Sequence, residues 1–421
     1  MKSLSVIVAA VVATILTATF LPGCLKDTRS HTYKIYTPVY KTTEDVRANI
    51  KSNAPQNIMN PGKLFIKGQY IFLNEIDKGI HIIDNTNPAN PKNVAFIDIP
   101  GNMDLAVKGD VLYADLYIDL VTLDSSDPLH IVKKKIIDNA FPERRYANGF
   151  VPSNQKIIVD WIVRDTTVVE DMANGNNLWG CPNCMVMDAL MLSSSAAPVA
   201  KSLFGMGGSM ARFSIINSTL FTVGTTDLSA YSIAAPEDPI FSKKVSLGVG
   251  IETVYPFKDR LFIGSSTGML IYDVSNPSNP SKLGQFGHIT ACDPVIADDD
   301  YAFVTLRSGV RCSNASNQMD VLNISNLTSP TLVKTYSMTN PHGLSKDENT
   351  LFVCDGTDGL KVYDASNVKE LKLIKQMKGF ESYDVIAFNK LAIVVSKDGL
   401  RQYDYSNPND IKLLSTLGWA Q

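Results

Sequence analysis

The sequence predicts an all-β fold built from a repeated unit, and three observations support this prediction. A phrase of an apolar residue, Asp, any residue, Ser or Thr, Asn and Pro recurs along the 421-residue chain, most clearly at residues 272–277. Short runs rich in β-branched and aromatic residues, with turn residues between them, lie between the copies. No long amphipathic helical pattern occurs. Four short strands in each unit of about 40 residues are typical of a β-propeller blade. We therefore expect a β-propeller of eight four-stranded blades, with seven blades as the alternative.

The recurring phrase sets the blade count because each copy should end one strand and begin a turn. Pro and Asn preset turn dihedrals, and Pro cannot continue a hydrogen-bonded ladder. Five of the seven intervals between copies are 39 to 41 residues, and the other two, 69 and 50 residues, carry insertions. The third copy, at Ser193, is degenerate, and seven blades result if its unit is not a full blade. The residues at the Asp position are Asp84, Asp124, Ser193, Ser232, Asp273, Asn323, Asp364 and Asp404.

The N-terminal residues are predicted to be a sorting signal. Lys2 precedes an apolar run over residues 4–20, which is short for a membrane span of about 20 residues. Residues 21–24, Leu-Pro-Gly-Cys, resemble the lipobox of bacterial lipoproteins, which implies cleavage before Cys24 and acylation of that cysteine. An uncleaved membrane anchor is the alternative. We expect a signal peptide over 1–23, a lipidated tether over 24–57 and a single propeller domain over 58–421.

The lipobox resemblance also implies a location. Leu25 instead of Asp after the cysteine favours the outer membrane in such lipoproteins, and Lys26-Asp27 resembles a signal for export to the cell surface. The expected protein is thus an outer membrane lipoprotein, periplasmic or surface-exposed. The formal charge is −3, with 39 basic and 42 acidic residues scattered along the chain, so no nucleic-acid partner is expected. We expect a monomer.

The cysteines suggest disulfides instead of redox or zinc chemistry. Cys181 and Cys184 have CxxC spacing, but no βαβ unit or second ligand pair accompanies them. A local disulfide or clamp within a loop is the expected interpretation. Cys292 and Cys312 flank one predicted hairpin and could pair with each other. Cys354 lies in an apolar strand pattern and is expected to be buried.

The repeated phrase resembles the LVIVD repeat of bacterial propeller proteins. The resemblance covers nearly all of residues 58–417, and the segments around 291–294, 317–322 and 340–344 resemble a lipoprotein subgroup of that family. It implies the propeller fold. It implies no particular reaction, because propellers support many unrelated activities.

A polar ring is predicted at one mouth of the propeller channel. The first strand of each blade lines the channel, and the loops that enter these strands share a face with the loops between second and third strands. Two insertions, 164–184 and 307–317, are expected on that face, the first with Trp179 as a contact residue. Aligning the second-strand patterns places these residues at the starts of the first strands: Lys63, Asp104, Asn148, Arg212, Glu252, Asp293, His342 and Asp384.

The ring suggests a ligand-binding site with several open chemistries. Carboxylates and one histidine could bind calcium, although Lys63 and Arg212 weigh against a cation. The simpler interpretation is that the polar groups hold water. No cofactor is identified otherwise. His342 is the weak candidate for catalysis, paired with Asp293 or Asp384 as acid and base. Asp298, Asp299 and Asp300 lack EF-hand spacing and suggest a solvated hairpin.

Three functions fit these features. The first is a membrane-anchored envelope lipoprotein that binds a protein or glycan partner through the face with the two insertions. The second is a hydrolase or lyase at the channel mouth, and the third is a passive envelope scaffold. The first ranks highest because the sequence has no GxSxG, HExxH or glycine-rich phosphate motif.

Overall fold

The computed structural model describes residues 28–146, 150, 156–171, 185–187, 206–209, 211–288, 294–308 and 317–419. The chain divides into two compact units. One lies within Met1–Thr37 and Ile162–Ala189, and the other within Pro38–Trp161 and Leu190–Gln421. The second unit contains all the propeller blades that the structure describes.

The segment expected to be a tether is structured from Thr28 onward. It forms strand β1 (Thr28–Thr42), helix α1 (Thr43–Ala48) and strand β2 (Ser52–Asn53). Thr42 caps α1 by accepting the Asp45 N–H at 3.1 Å, as short hydroxyl side chains do at helix starts. Arg47, in the last turn, pairs with Asp119 at 2.5 Å. This pair attaches the segment to the second blade.

The first two blades each consist of four consecutive antiparallel strands. Strand β2 pairs with the outer edge of blade 1, which extends that sheet. The strands of blade 1 are β3 (Pro61–Lys67), β4 (Tyr70–Glu75), β5 (Gly79–Asp84) and β6 (Lys92–Asp98). The strands of blade 2 are β7 (Leu105–Lys108), β8 (Val111–Leu116), β9 (Asp119–Asp124) and β10 (Val132–Ile137).

The chain then leaves the repeat. Strand β11 (Lys156–Asp171) pairs with β1, and β12 (Met185–Met187) pairs with the other edge of β1, in a three-stranded sheet. Strand β13 (Met206–Gly207) pairs with β3 of blade 1. The degenerate third copy therefore contributes no four-stranded blade to the described structure, because its strand β11 belongs to a different sheet.

Five further blades follow without interruption of the pattern. Blade 3 consists of β14 (Phe213–Ile216), β15 (Thr219–Val223), β16 (Asp227–Ser232) and β17 (Ile240–Ser246), and blade 4 of β18 (Ile251–Phe257), β19 (Arg260–Ser265), β20 (Gly268–Asp273) and β21 (Ser281–Gly287). Blade 5 consists of β22 (Val295–Ala297), β23 (Tyr301–Leu306), β24 (Gln318–Asn323) and β25 (Thr331–Ser337), and blade 6 of β26 (Leu344–Asp347), β27 (Thr350–Cys354), β28 (Leu360–Asp364) and β29 (Lys372–Met377). Blade 7 consists of β30 (Ser382–Phe388), β31 (Leu391–Ser396), β32 (Gly399–Asp404) and β33 (Lys412–Gly418). Seven four-stranded blades are thus present in the described residues. Of the two expected counts, seven is confirmed and eight is not.

The repeated phrase is explained by paired side-chain turns. In blade 4, Asp273 accepts the Ser275 N–H at 2.8 Å and Asn276 accepts the Ser278 N–H at 3.2 Å. Such bonds mimic a backbone turn, which is why Asp and Asn are favoured there. The residue after each Asp position then packs against the previous blade. In five blades it is apolar and buried: Ile233, Val274, Ile324, Ala365 and Tyr405.

The ring closes between blades 7 and 1 through polar contacts. Asn85, the corresponding residue of blade 1, exchanges two amide hydrogen bonds with Gln402, at 2.9 and 2.6 Å. Ser415 donates to the Pro88 carbonyl at 2.6 Å. No strand is shared between these two blades in the described structure, so packing and these bonds close the ring.

Candidate binding site at the channel mouth

Six of the eight predicted ring residues are described, and they lie at the starts of the first strands of their blades. Lys63 lies in β3, Glu252 in β18 and Asp384 in β30. Asp104 and Arg212 directly precede β7 and β14, and His342 lies two residues before β26. The first strands of consecutive blades contact one another from blade 1 through blade 7. Asn148, Asp293 and Trp179 lie outside the described residues. Asn148 was expected to start a third blade of its own, and the described structure has no blade between β10 and β14.

One carboxylate joins three blades on one side of the mouth. Asp104 Oδ2 lies 3.3 Å from Lys63 Nζ of blade 1 and also accepts the backbone N–H of Arg212 in blade 3. Asp104 Oδ1 accepts the Leu105 N–H at 2.7 Å. Lys63 and Asp104 are only 8% and 2% exposed. Burial lowers the pKa of Lys63, and Asp104 opposes that shift. On this side of the mouth, Lys63 and Asp104 therefore form a buried ion pair, and both carboxylate oxygens of Asp104 have partners.

A second carboxylate, which the sequence reasoning missed, positions Asp104. Asp115 Oδ1 accepts the backbone N–H groups of Met103 and Asp104, each at 2.9 Å, and the Asn102 amide at 2.8 Å. Arg144 Nε lies 3.2 Å from Asp115 Oδ2. Burial raises the pKa of Asp115, and Arg144 opposes this. A carboxylate near the end of an apolar second strand was the signal that could have revealed it.

The same device recurs in two other blades. Glu75, at the end of β4, accepts the backbone N–H groups of Met59 and Asn60 at 3.1 and 2.6 Å. Asp355, after β27, accepts those of Thr339 and Asn340 at 3.0 and 2.8 Å. In each case the carboxylate holds the segment that enters the first strand of its own blade. These acidic residues are therefore explained by structure.

Arginines continue the ring across blades 3 to 5. Arg212 donates from Nε to the Glu252 carbonyl oxygen at 3.3 Å and from Nη2 to the Ile251 carbonyl oxygen at 3.2 Å. Burial lowers the pKa of Arg212, and Arg144 adds to the shift. Burial also lowers the pKa of Arg307, with Glu252 opposing it. Glu252 thus interacts electrostatically with both cations, and the charges at the mouth alternate in sign.

His342 is buried, and one of its ring nitrogens has no partner. Its Nε2 lies 3.2 Å from the Asn340 Nδ2, which can only donate, so Nε2 accepts and the proton of the neutral ring is assigned to Nδ1. The side chain is 3% exposed, and Nδ1 has no hydrogen-bond partner in the described structure. The ring packs against that of Tyr383, with centroids 5.4 Å apart. Burial and Arg307 lower the pKa of His342 well below its ordinary value.

Asp384 has the corresponding feature in the next blade. Its Oδ1 accepts the Val385 N–H at 2.6 Å, whereas Oδ2 has no hydrogen-bond partner among the described residues. The residue is fully buried. Burial raises the pKa of Asp384 well above its ordinary value, while the Val385 N–H and Lys63 oppose this. The described contacts include no hydrogen bond between Asp384 and His342, so the expected acid–base pair is not assembled by direct contact.

A chain segment crosses the channel below the ring. Gly207 of β13 pairs with Phe65 in blade 1, and Ser209 Oγ accepts the Leu344 N–H of blade 6 at 3.3 Å. Ser209 is fully buried. Residues 207 and 208 are both glycine, and a backbone without side chains can approach its neighbours closely on a crowded axis. The segment therefore links blade 1 to blade 6 inside the propeller.

Metal and cysteine predictions are tested only in part. Within the described ranges, no group of three or more His, Cys, Asp or Glu is arranged to bind a metal. Asp298 accepts the N–H groups of Asp300 and Tyr301 at 3.0 and 2.8 Å, as expected for a hairpin turn. Cys354 is a buried free thiol, as predicted. The remaining cysteines lie outside the described residues: Cys24, Cys181, Cys184, Cys292 and Cys312.

The two insertions lie in different kinds of loop. Residues 307–317 connect β23 and β24, the second and third strands of blade 5, as predicted. The longer insertion lies between the last strand of blade 2 and the first strand of blade 3, and not between a second and a third strand. Last strands end, and first strands begin, at the mouth face, so the propeller residues that flank both connections lie at that face. No helix in the described part of the chain is long and apolar enough to span a membrane.

These features define a seven-bladed β-propeller with a buried polar ring at one channel mouth. LVIVD repeats are found in three of the blades: the LVIVD repeat profile matches residues 62–97, 260–287 and 293–338, in blades 1, 4 and 5. None of the curated proteins compared matches the chain in sequence.

Solved structures support the fold alone. A computationally designed protein, Ika8, superposes with a TM-score of 0.50 at 9% identity, over 87% of this chain and 90% of its own. A protein from Lactobacillus plantarum superposes with a TM-score of 0.50 at 14% identity, over 92% of this chain and 96% of its own. Identities this low carry no information about function.

Proposed function

We propose that this protein is a membrane-anchored lipoprotein of the cell envelope whose propeller binds a protein or glycan partner through the mouth face. The observation that carries the binding role is the polar ring, where buried side chains leave hydrogen-bonding atoms of His342 and Asp384 without described partners. Unsatisfied buried polar atoms cost free energy, so their retention favours a site that a ligand or water completes.

The mouth face is the favoured binding surface because both insertions are connected to the propeller at that face. Long loops in compact domains are usually functional or disordered. Trp179, in the insertion 164–184, is the proposed contact residue, since tryptophan is enriched among residues that dominate binding energy. Anchoring through acylated Cys24 rests on the resemblance of residues 21–24 to a lipobox, and two or more acyl chains would make it stable.

The hydrolase or lyase alternative has less support. A catalytic acid and base must reach the substrate or each other directly or through one water. The described hydrogen bonds of His342 involve Asn340, Cys354 and Thr305, and none involves a carboxylate. A scaffold role would be indicated if no ligand bound at the mouth.

Anchoring is tested by fractionation of the full chain in a Gram-negative host. We expect the protein in the membrane fraction and Cys24→Ser in the soluble periplasmic fraction. Equal distribution of the two forms would reject lipid anchoring at Cys24.

Partner binding is tested with the detergent-solubilised full chain against a glycan array and envelope protein extracts. We expect Trp179→Ala to reduce binding at least tenfold, whereas Leu373→Ala, on the exposed outer strand of blade 6, serves as the matched control and leaves it unchanged. Equal loss in both variants would place the binding surface elsewhere.

A further inference from the structure

At the junction of blades 6 and 7, an aromatic side chain fills a wedge between the two blades. Tyr405 follows Asp404 of the repeated phrase in blade 7 and packs against blade 6. Its hydroxyl donates to Asp347 Oδ2 at 2.9 Å, and the centroid of its ring lies 4.9 Å from that of Phe352. Tyr405 is only 1% exposed. This wedge lies at the face opposite the mouth and accommodates one aromatic ring.

The equivalent wedge between blades 7 and 1 is open in the described structure. Asn85 follows Asp84 in blade 1 as Tyr405 follows Asp404 in blade 7. Its amide is smaller than a tyrosine ring and exchanges two hydrogen bonds with Gln402, at 2.9 and 2.6 Å. A cavity of about 380 Å³ lies beside it, lined by residues of both blades.

The walls of this cavity correspond to the walls around Tyr405. The strand registers place Phe388 at the position of Asp347, and Ile393 at the position of Phe352. Phe388 and Ile393 both line the cavity. Because Phe388 replaces the aspartate that accepts the tyrosine hydroxyl, this wedge is less polar than its counterpart. An apolar ring therefore suits it better than a phenol.

At two other junctions the residue after the phrase position is also small, and a lysine reaches across. These residues are Ser125 in blade 2 and Ala365 in blade 6. Lys67 Nζ of blade 1 donates to the Ser125 carbonyl oxygen at 2.7 Å. Lys346 Nζ of blade 6 lies 5.9 Å from the ring centroid of Phe303 in blade 5. A small residue at this position is thus compensated by a side chain of the neighbouring blade.

Between blades 7 and 1 the charged side chains of the lining have partners of their own. Lys390 lines the cavity, but its Nζ lies 3.1 Å from Glu348 Oε2 of blade 6. Asp404 also lines it, and its Oδ1 accepts the Ser406 N–H at 2.8 Å. An uncharged group can enter this cavity without leaving an ion pair broken.

The cavity can be reached from solvent. Gln69 and Asn389, which are exposed residues in turns, line it together with Leu414, which is 37% exposed. Its volume falls within the range of about 300–1,000 Å³ that is usual for ligand pockets, and its apolar walls with a few polar groups are typical of them. A ring can thus pack inside while the rest of its molecule stays at the polar edge.

We propose that the wedge between blades 7 and 1 binds a single uncharged aromatic ring, carried by a small molecule or by a phenylalanine side chain of a peptide. The ring packs against Phe388 and Ile393, in the place that Tyr405 occupies at the preceding junction. An aromatic pair contributes affinity beyond the apolar area that it buries. The site lies at the face opposite the mouth, so it is separate from the partner surface of the proposed function.

The test uses the detergent-solubilised full chain and three probes. They are benzyl alcohol, N-acetylphenylalanine amide and N-acetylcyclohexylalanine amide, and binding is measured by saturation-transfer NMR. We expect an aromatic probe to bind with a Kd of about 1 mM, as for other ligands of this size. The cyclohexyl probe should bind about threefold more weakly or worse than its phenyl counterpart, because it cannot form the aromatic pair. The tighter of the two aromatic probes identifies a free compound or a peptide side chain as the source of the ring.

Two double variants fill the wedge or leave it open. Asn85→Tyr with Gln402→Val copies the preceding junction, where Tyr405 and Val362 hold these positions, and should weaken binding about tenfold or more. Asn85→Ala with Gln402→Val removes the same amide hydrogen bonds but leaves the wedge open, and should bind within about threefold of the parent. Phe388→Leu, which removes only the aromatic wall, should weaken binding about threefold. Thermal melts confirm that each variant is folded.

Three results would overturn the proposal. They are the absence of binding by both aromatic probes at about 10 mM, equal binding of the phenyl and cyclohexyl probes, and unchanged binding by the folded variant with the filled wedge. If that variant does not fold, unchanged binding by Phe388→Leu overturns the proposal in its place. Partner binding through Trp179 is measured at the other face, so the proposed function stands or falls independently of these results.

Discussion

The two sides of the channel mouth contain the same residue types in different bonding states. Around Asp104, each oxygen of the carboxylate is bonded, and one of them links blades 1, 2 and 3. Around Asp384, one oxygen is bonded locally and the other has no described partner. The position of a buried carboxylate in the repeat therefore does not determine its role. The neighbouring first strands determine it: they supply a lysine and a backbone N–H to Asp104 Oδ2, and no hydrogen-bond donor to Asp384 Oδ2 among the described residues.

The largest effect is expected from removing the bonded aspartate. Asp104→Ala leaves Lys63 buried without its partner and removes the acceptor of the Arg212 N–H. Breaking a buried ion pair on one side costs about 3–5 kcal/mol. Urea unfolding of the full chain measures this free energy, with Asp384→Ala as the matched variant. Equal costs for the two variants would mean that the two sides of the mouth contribute equally to stability.

A smaller effect is expected from the carboxylate that positions Asp104. Asp115→Ala leaves two backbone N–H groups and the Asn102 amide without their acceptor and should cost about 2–3 kcal/mol. Asp355→Ala, which removes the same kind of acceptor in blade 6, should cost a similar amount. Both costs are read from urea unfolding midpoints and slopes. A large cost in blade 2 alone would show that this device stabilises only one side of the mouth.

The sequence predicted the repeat, the channel ring and the class of fold because these depend on local chemistry. The Asp and Asn side chains of the phrase make their turn bonds within a few residues, so each copy identifies its own turn. Whether the third unit forms a blade could not be predicted from its turn residues. Its β11 pairs with β1, more than 100 residues earlier in the chain, and such pairing leaves no local signal. The eighth blade was therefore an over-extension of a degenerate copy.

The ring residues were found by alignment, but their partners were not. Lys63 pairs with Asp104 across blades, and Ser209 reaches Leu344 across the channel. Neither contact follows from spacing in the sequence. Asp115 and Glu75 were missed because they lie at the ends of apolar second strands, whereas the predicted ring was drawn only from the starts of the first strands. In this propeller, the positions of the ring residues can thus be predicted from the repeat. Their ion pairs and hydrogen bonds can be assigned only from the folded arrangement of the blades.

A still smaller effect is expected from neutralising the second aspartate. Asp384→Asn replaces a carboxyl group that is the neutral acid in both states below its ordinary pKa of 3.8, so the free energy of unfolding should change by less than about 1 kcal/mol below that pH. The pH dependence of the free energy of unfolding also distinguishes the two aspartates. The folded pKa lies above the ordinary 3.8, so the folded state binds more protons between these values and the parent loses stability as pH rises through that window. Asp384→Asn should remove that loss in urea titrations, and an unchanged slope would assign it elsewhere.

The smallest expected effect is a change of slope at His342. Its folded pKa lies well below the ordinary 6.5 because the ring is buried and Arg307 lies nearby. Between these two values the unfolded chain binds more protons than the folded one, so the stability of the parent falls as pH decreases from 6.5. His342→Gln should flatten this part of the profile, with less than about 1 kcal/mol of change at pH 7.5, where the imidazole is neutral in both states. The raised pKa of Asp384 changes stability with pH in the opposite direction, so the two effects can cancel in the parent protein. Measuring His342→Gln in the Asp384→Asn background separates them. If His342→Gln left the profile in that background unchanged, burial of the neutral imidazole would not be the cause of the lost stability at low pH.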